Sequence, residues 1–156
     1  VATTVASATL KVTLKEDIVL NGRQQGSESV LSIPSINEIS KRILTIPTSE
    51  IEIIAMSTAV ASGTYIESDV RYIRITNLDD TNHITLTFKN ENSDEFAIKL
   101  DKGQSYIYNG DMDGGVVDTM DAIDGTGLTL SLGDLVNITA LADTAACDLE
   151  VFVASA

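Results

Sequence analysis

Along most of this chain apolar and polar side chains alternate one by one. Ile84, Leu86 and Phe88 are interleaved with Thr85, Thr87 and Lys89, and Phe96, Ile98 and Leu100 with Ala97, Lys99 and Asp101. A period of two places one row on a buried face and the other towards water, which predicts half-buried β-strands. Residues 70–108 read as four such strands. The turn-forming runs between them are Asn77-Leu-Asp-Asp-Thr-Asn82, Asn90-Glu-Asn-Ser-Asp94 and Asp101-Lys-Gly103. The expected arrangement is an antiparallel meander whose apolar face the rest of the chain covers.

The flanking segments continue the pattern. Leu10, Val12 and Leu14 alternate with Lys11, Thr13 and Lys15, and Ile18-Val-Leu20 leads into Asn21-Gly22, a tight-turn signal. Residues 24–29 are expected as loop and residues 30–33 as a short strand closed by Pro34. Residues 35–47 carry two signals. Ser35 with Glu38 fits a helix capping box, with Ile36, Ile39 and Ile43 as a helical stripe, but β-branched residues dominate and Pro47 bounds the run, which favours strand. Residues 50–56 predict a strand. Residues 57–63 predict a small-residue loop, or one short helical turn, anchored by Tyr65 or Ile66. Residues 109–127 form the longest irregular stretch. Strands follow on Leu128, Leu130 and Leu132, on Val136, Ile138 and Ala140, and on Leu149, Val151 and Val153, with Asp148 and Glu150 outward.

Nine or ten short strands with regular turns and no long helix predict an all-β fold: an antiparallel, jelly-roll-like β-sandwich. Residues 10–156 are expected to form one domain, large enough to bury a core without metal or disulfide help. Residues 1–9 are expected to form a flexible arm. A small apolar arm gains little from solvent, so Val1, Ala2, Thr3, Thr4 and Val5 are predicted to lie against another subunit.

Charge narrows the functions. The chain has 23 acidic and 10 basic residues, a net −13, and no Lys or Arg after Lys102. Such a surface repels phosphate, which disfavours nucleic acid and anionic membranes as partners. No stretch approaches the ~20 apolar residues of a membrane span. Val1 to Ala8 lacks the basic residues and apolar block of an export signal, so no segment that directs export is expected here. The single cysteine, Cys147, allows neither an intrachain disulfide nor a multi-cysteine metal site, and is expected as a small buried residue.

Candidate chemistry is sparse. His83 is the only histidine, in a turn with no nucleophile or orienting carboxylate framed beside it, and one His with one Cys does not make the usual transition-metal set. Carboxylates are plentiful, but the sugar-stacking aromatics that accompany a glycosidase pair are few and Trp is absent. An enzyme is not expected. Asn109-Gly-Asp111-Met-Asp113-Gly114 matches the opening of an EF-hand loop, yet Met120 stands where its bidentate Glu belongs and the flanks predict strands. What remains is a possible calcium loop of another kind, drawing on Asp111, Asp113 and Asp118, with Asp121 and Asp124 nearby. Asn137-Ile-Thr139 matches a glycosylation sequon within a strand, read as chance. Arg71 and Arg74 predict cross-strand ion pairs.

Three segments together resemble a known pattern. Tyr72-Ile-Arg-Ile-Thr-Asn-Leu-Asp-Asp-Thr-Asn82 with Ile84-Thr-Leu-Thr-Phe88, then Phe96-Ala-Ile-Lys-Leu-Asp-Lys-Gly-Gln-Ser-Tyr106, and the closing Ala142 to Val153 run are similar to small β-sandwich virion proteins of tailed bacteriophages. Ile36-Asn-Glu-Ile-Ser-Lys-Arg-Ile43 has the same character, while residues 109–127 match nothing in that pattern. The resemblance implies a structural protein that decorates or cements the capsid. It further implies a homo-oligomer, often a trimer, bound to the major capsid protein, with no catalytic residue to carry over. The other readings left open are a tail or head–tail connector component and a calcium-assisted binding or adhesion module.

Overall fold

A computed structural model describes residues 5–122 and 131–156. Their strands are β1 (Ala8–Lys15), β2 (Val19–Leu20), β3 (Arg23–Gln24), β4 (Glu28–Ile36), β5 (Glu38–Ile46), β6 (Ile51–Ser57) and β7 (Tyr65–Ile66). They continue as β8 (Val70–Asn77), β9 (Ile84–Asn90), β10 (Glu95–Leu100), β11 (Ser105–Asn109), β12 (Leu135–Ala142) and β13 (Cys147–Ser155). No helix occurs among the described residues, so the strand reading of residues 35–47 holds.

Eight strands form the body. One sheet has the order β11-β8-β13-β5, the other β10-β9-β12-β6, with the two-residue β7 added in parallel beside β6. Successive body strands thus alternate between the two sheets, except that β9 and β10 pair within one, which is the arrangement of a jelly roll. The alternating rows correctly mark the buried faces: Ile73, Ile75, Ile84, Leu86, Phe88, Ile138 and Leu149 are fully buried between the sheets. Phe88 sits among the rings of Phe96, Tyr106 and Tyr108, with centroids 4.7, 5.1 and 5.7 Å away. Burying rings against one another adds to the area term that dominates a sandwich core.

The expected meander is not formed. β8 pairs with β11 and β13, while β9 pairs with β10 and β12, so the four strands of residues 70–108 divide two and two between the sheets. Alternation tells which side chains face the core, but it is the same whether the next strand lies alongside or across the sandwich. The crossing is set by Asn77, the last residue of β8, which is fully buried. Its Nδ2 donates to the carbonyls of Asn82 (2.9 Å) and Leu100 (3.2 Å), and its Oδ1 accepts the Asp79 N–H (2.9 Å). Asp79 closes the same loop by accepting the N–H groups of Thr81 and Asn82, which holds its carboxyl below the usual aspartate range.

Other local expectations shift for identifiable reasons. β4 does not end at Pro34 but runs through it. The pairs Leu10↔Ile33 and Ala8↔Ile36 leave Thr9 facing both Pro34 and Ser35, a bulge with Ser35 at φ 63°, where a proline's missing N–H costs no ladder bond. In β12 a register irregularity at Val136 leaves that residue half-buried and makes Leu135, Ile138, Ala140 and Ala142 the inward row. Residues 109–122 are irregular beyond β11, as expected, but not superficial: Val116 and Met120 enter the core. Leu128 and Leu130 lie outside the described residues, and Leu132 is exposed and not in a strand. Of the two arginines, Arg74 forms a cross-strand pair with Glu150 (2.7 Å), but Arg71 donates to the Ser68 carbonyl instead.

Asn77→Ala should lower the unfolding free energy by about 2–3 kcal/mol, because it orphans buried backbone groups rather than merely removing one bond. Denaturant unfolding checks this; a loss within a few tenths would show that the crossing does not depend on the amide.

Candidate functional site

Residues 8–36 form a hairpin separate from both sheets of the body. β1 pairs with β4 over its whole length, and β2 with β3 beyond it. The tip turn is the one Asn21-Gly22 predicts: both residues have positive φ, 54° and 74°, as a two-residue hairpin turn requires. Between the two ladders Gln24 ties the strands together. Its Oε1 accepts the N–H groups of Ile18 (3.1 Å) and Gly26 (2.8 Å), and its Nε2 donates to Asp17 (2.6 Å). A side chain at Gly26 would run into the Glu16 carbonyl, so this crossing point admits only glycine.

The hairpin's base is anchored on the body. Ile33 and Ile36 are buried with Tyr72 and Ala154, and Leu10, Val12 and Phe152 pack around them, on the outer face of the β11-β8-β13-β5 sheet. From Thr13 to Ser32 every residue is exposed except the half-buried Gly26. That exposed part includes Leu14, Ile18, Val19, Leu20, Val30 and Leu31, with Val19 65% and Leu20 63% accessible. It is also electrically different. Residues 1–36 carry three basic and three acidic side chains, so the whole excess of −13 falls on residues 37–156. The hairpin is thus a preorganised, neutral, apolar projection on an acidic body, and exposed apolar clusters of this kind are candidates for interaction surfaces. Of the five residues predicted as partner contacts, Val5 is exposed, while Val1, Ala2, Thr3 and Thr4 lie outside the described residues.

Carboxylates gather at one corner of the sandwich. Oxygens of Glu91, Asp118 and Asp134 all lie within 4.8 Å of one another. Backbone bonds fix them: the Asp118 N–H donates to Asp134 Oδ1 (2.9 Å), and the Glu91 N–H to the Asp134 carbonyl (2.9 Å). Nearby, Asn90 holds the end of β9. Its Oδ1 accepts the N–H groups of Asn92 and Asp94, and its Nδ2 donates to the Met120 carbonyl (3.0 Å). Glu67 reaches the same corner. Burial, then the charges of Asp134 and Glu91, push its carboxyl above the usual glutamate value. Three clustered carboxylates are ligands that a hard cation such as calcium uses.

Of the predicted loop residues only Asp118 belongs to this group. Asp111 instead accepts the N–H of Asp113 (2.8 Å) in its own turn, which holds its carboxyl below the usual range. Asp121 accepts the Ser131 N–H, and Asp124 lies outside the described residues. Glu91 and Asp134 carried no signal in the sequence. They flank turns 43 residues apart in the chain, and only the pairing of β9 with β12 makes them neighbours.

At the opposite end of those strands His83 is 3.6 Å from Asp143, and Cys147 is buried as expected. Burial and the neighbouring Asp79, Asp143 and Asp148 carboxylates push the thiol upward, so it stays protonated and poorly nucleophilic. The sequon residue Asn137 donates to Glu52 (3.1 Å).

No family model matches the chain, and no curated protein matches it. Among solved structures, a chain described as "Bacillus endospore appendages form a novel family of disulfide-linked pili" is similar over 99% of this chain and 94% of its own, with 9% identity and a TM-score of 0.42.

Two outcomes follow from this geometry. Gly26→Ala should disorder the hairpin beyond Glu16 while leaving the body's melting temperature within about 2 °C, because the tip and the sandwich share no ladder. Hydrogen exchange of the Ile18 and Gln25 amides reads the first effect and calorimetry the second. For Glu67, a folded-state value raised above 4.5 means the folded chain holds the extra proton, so stability falls as pH rises from there through the raised value. Glu67→Gln should therefore melt higher than the parent at neutral pH, with the difference vanishing below pH ~4. An equal melting temperature at pH 7 would count against the repulsion.

Proposed function

We propose that this chain is a non-enzymatic structural subunit of a repetitive protein assembly. Following the resemblance of its sequence, we take it as a bacteriophage virion protein that decorates the capsid as a homo-oligomer, a trimer in the form that resemblance implies, by binding the major capsid protein. The observation that carries this reading is the hairpin. A monomeric protein with an acidic, soluble body has no use for a neutral arm that presents six large apolar side chains to water. A subunit that is covered by its neighbours does. The jelly-roll body supports the same role, because two sheets packed on one core give a rigid block that can repeat.

In this reading residues 1–5 meet the shell, and the acidic surface confines contact between copies to the part without excess charge. Assembly then proceeds on the virion from chains made in the host cytoplasm.

The test uses shells assembled from the major capsid protein, incubated with the chain and pelleted. The chain should co-sediment to saturation at a fixed ratio, and removing residues 1–7, which precede β1, should weaken that binding at least tenfold with the melting temperature unchanged. Shells that pellet without the chain overturn the proposal.

A further inference from the structure

The outer face that receives the hairpin base also carries an uncovered apolar strip. β5 is an edge strand, and its outward row is Ile39, Lys41, Ile43 and Thr45, directly opposite Ala154, Phe152, Glu150 and Asp148 of β13. Ala154 and Phe152 are already under the base of the chain's own hairpin. Ile39 continues that apolar surface sideways from Ala154, and Ile43 lies further along β5 beside Glu150, past Lys41; the two isoleucines are 65% and 63% exposed. One molecule therefore displays both an unpartnered apolar projection and an unpartnered apolar strip beside the place where the same projection is rooted.

We infer that the exposed half of the hairpin docks on the Ile39–Ile43 strip of a second copy of this chain, joining copies head to tail. This rests on the reading of the hairpin as an attachment element and names what it attaches to. Three observations select a second copy. The chemistry of this contact is already realised within the chain, where Ile33 and Ile36 of the hairpin pack on Tyr72 and Ala154 of this face. Charge also selects it: two bodies of −13 repel, and residues 1–36, with no net charge, can bridge them without adding to that repulsion. Reach agrees as well, since the exposed run from Thr13 to Leu20 is longer than the stretch from Ile39 to Ile43 that it would cover. Because donor and acceptor are different surfaces, the contact is heterologous, and repetition closes a ring or extends a chain.

The test is complementation between two variants, with mass followed by light scattering and analytical ultracentrifugation. V19E/L20K spoils the hairpin, and I39K/I43E spoils the strip. All four positions are exposed, so far-UV circular dichroism and melting temperature should match the parent. The parent should associate, and more tightly at 500 mM than at 50 mM salt, since screening removes the body–body repulsion. Each variant alone should be monomeric, its self-association weakened at least tenfold. Mixed, they should form one-to-one pairs and go no further, because one intact hairpin meets one intact strip.

A parent that stays monomeric at both salt concentrations overturns the inference. A strip variant that still associates overturns it too, and would indicate contact between hairpins. A mixture that stays monomeric likewise overturns it. None of these readouts involves capsid shells. Copies that join head to tail but fail to co-sediment with shells would leave this contact standing and remove only the virion assignment.

Discussion

One buried amide holds the route of this chain together. At Asn77 the backbone leaves one sheet for the other, and three bonds from a single side chain tie the end of β8, the crossing loop and the end of β10 to one point. The Asn77 N–H and carbonyl meanwhile bond Gln104 and Gly103, so the return crossing into β11 is fixed at the same corner. A buried polar group is costly unless satisfied, and a satisfied one admits few alternatives. Hydrophobic area stabilises the sandwich, but it does not choose between a meander and a jelly roll, whereas the amide ties down the crossing that the jelly roll requires.

Asn90 repeats the device at the end of β9, where it orders the turn to β10 and anchors the carbonyl of Met120. That anchor makes an irregular, acidic segment part of the core. Val116 and Met120 are buried beneath it, while its carboxylates are left at the rim with those of Glu91 and Asp134. The gathering of negative charge at that corner is thus a by-product of where the backbone had to be tied down. The elevated Glu67 carboxyl is the cost of that placement.

The hairpin obeys a different balance. Its base is held by a small second core on the outside of the sheet, and its far half by its own ladder and the Gln24 bonds, with no support from the body. Such an element is ordered before it meets anything, so binding through it avoids most of the entropy that a disordered arm loses on docking. Its neutrality matters as much as its apolar side chains. On a body carrying −13, the part of the surface without excess charge is where two copies can approach.

By itself the sequence determined the local geometry: which side chains share a face in the body's strands, that residues 38–46 are strand rather than helix, that Asn21-Gly22 turns tightly, and that Cys147 lies inside. Each follows from side-chain period, β-branching or turn chemistry, properties of residues a few positions apart. The tertiary structure alone decided which strands are neighbours, that Leu14 and Val30 face water although their pattern matches buried rows, and that Asp118 joins Glu91 and Asp134 rather than Asp111. The physical reason is common to all three. Alternation fixes the face that a side chain takes, but what lies against that face is set by pairings between residues far apart in the chain, and those pairings leave no periodic trace.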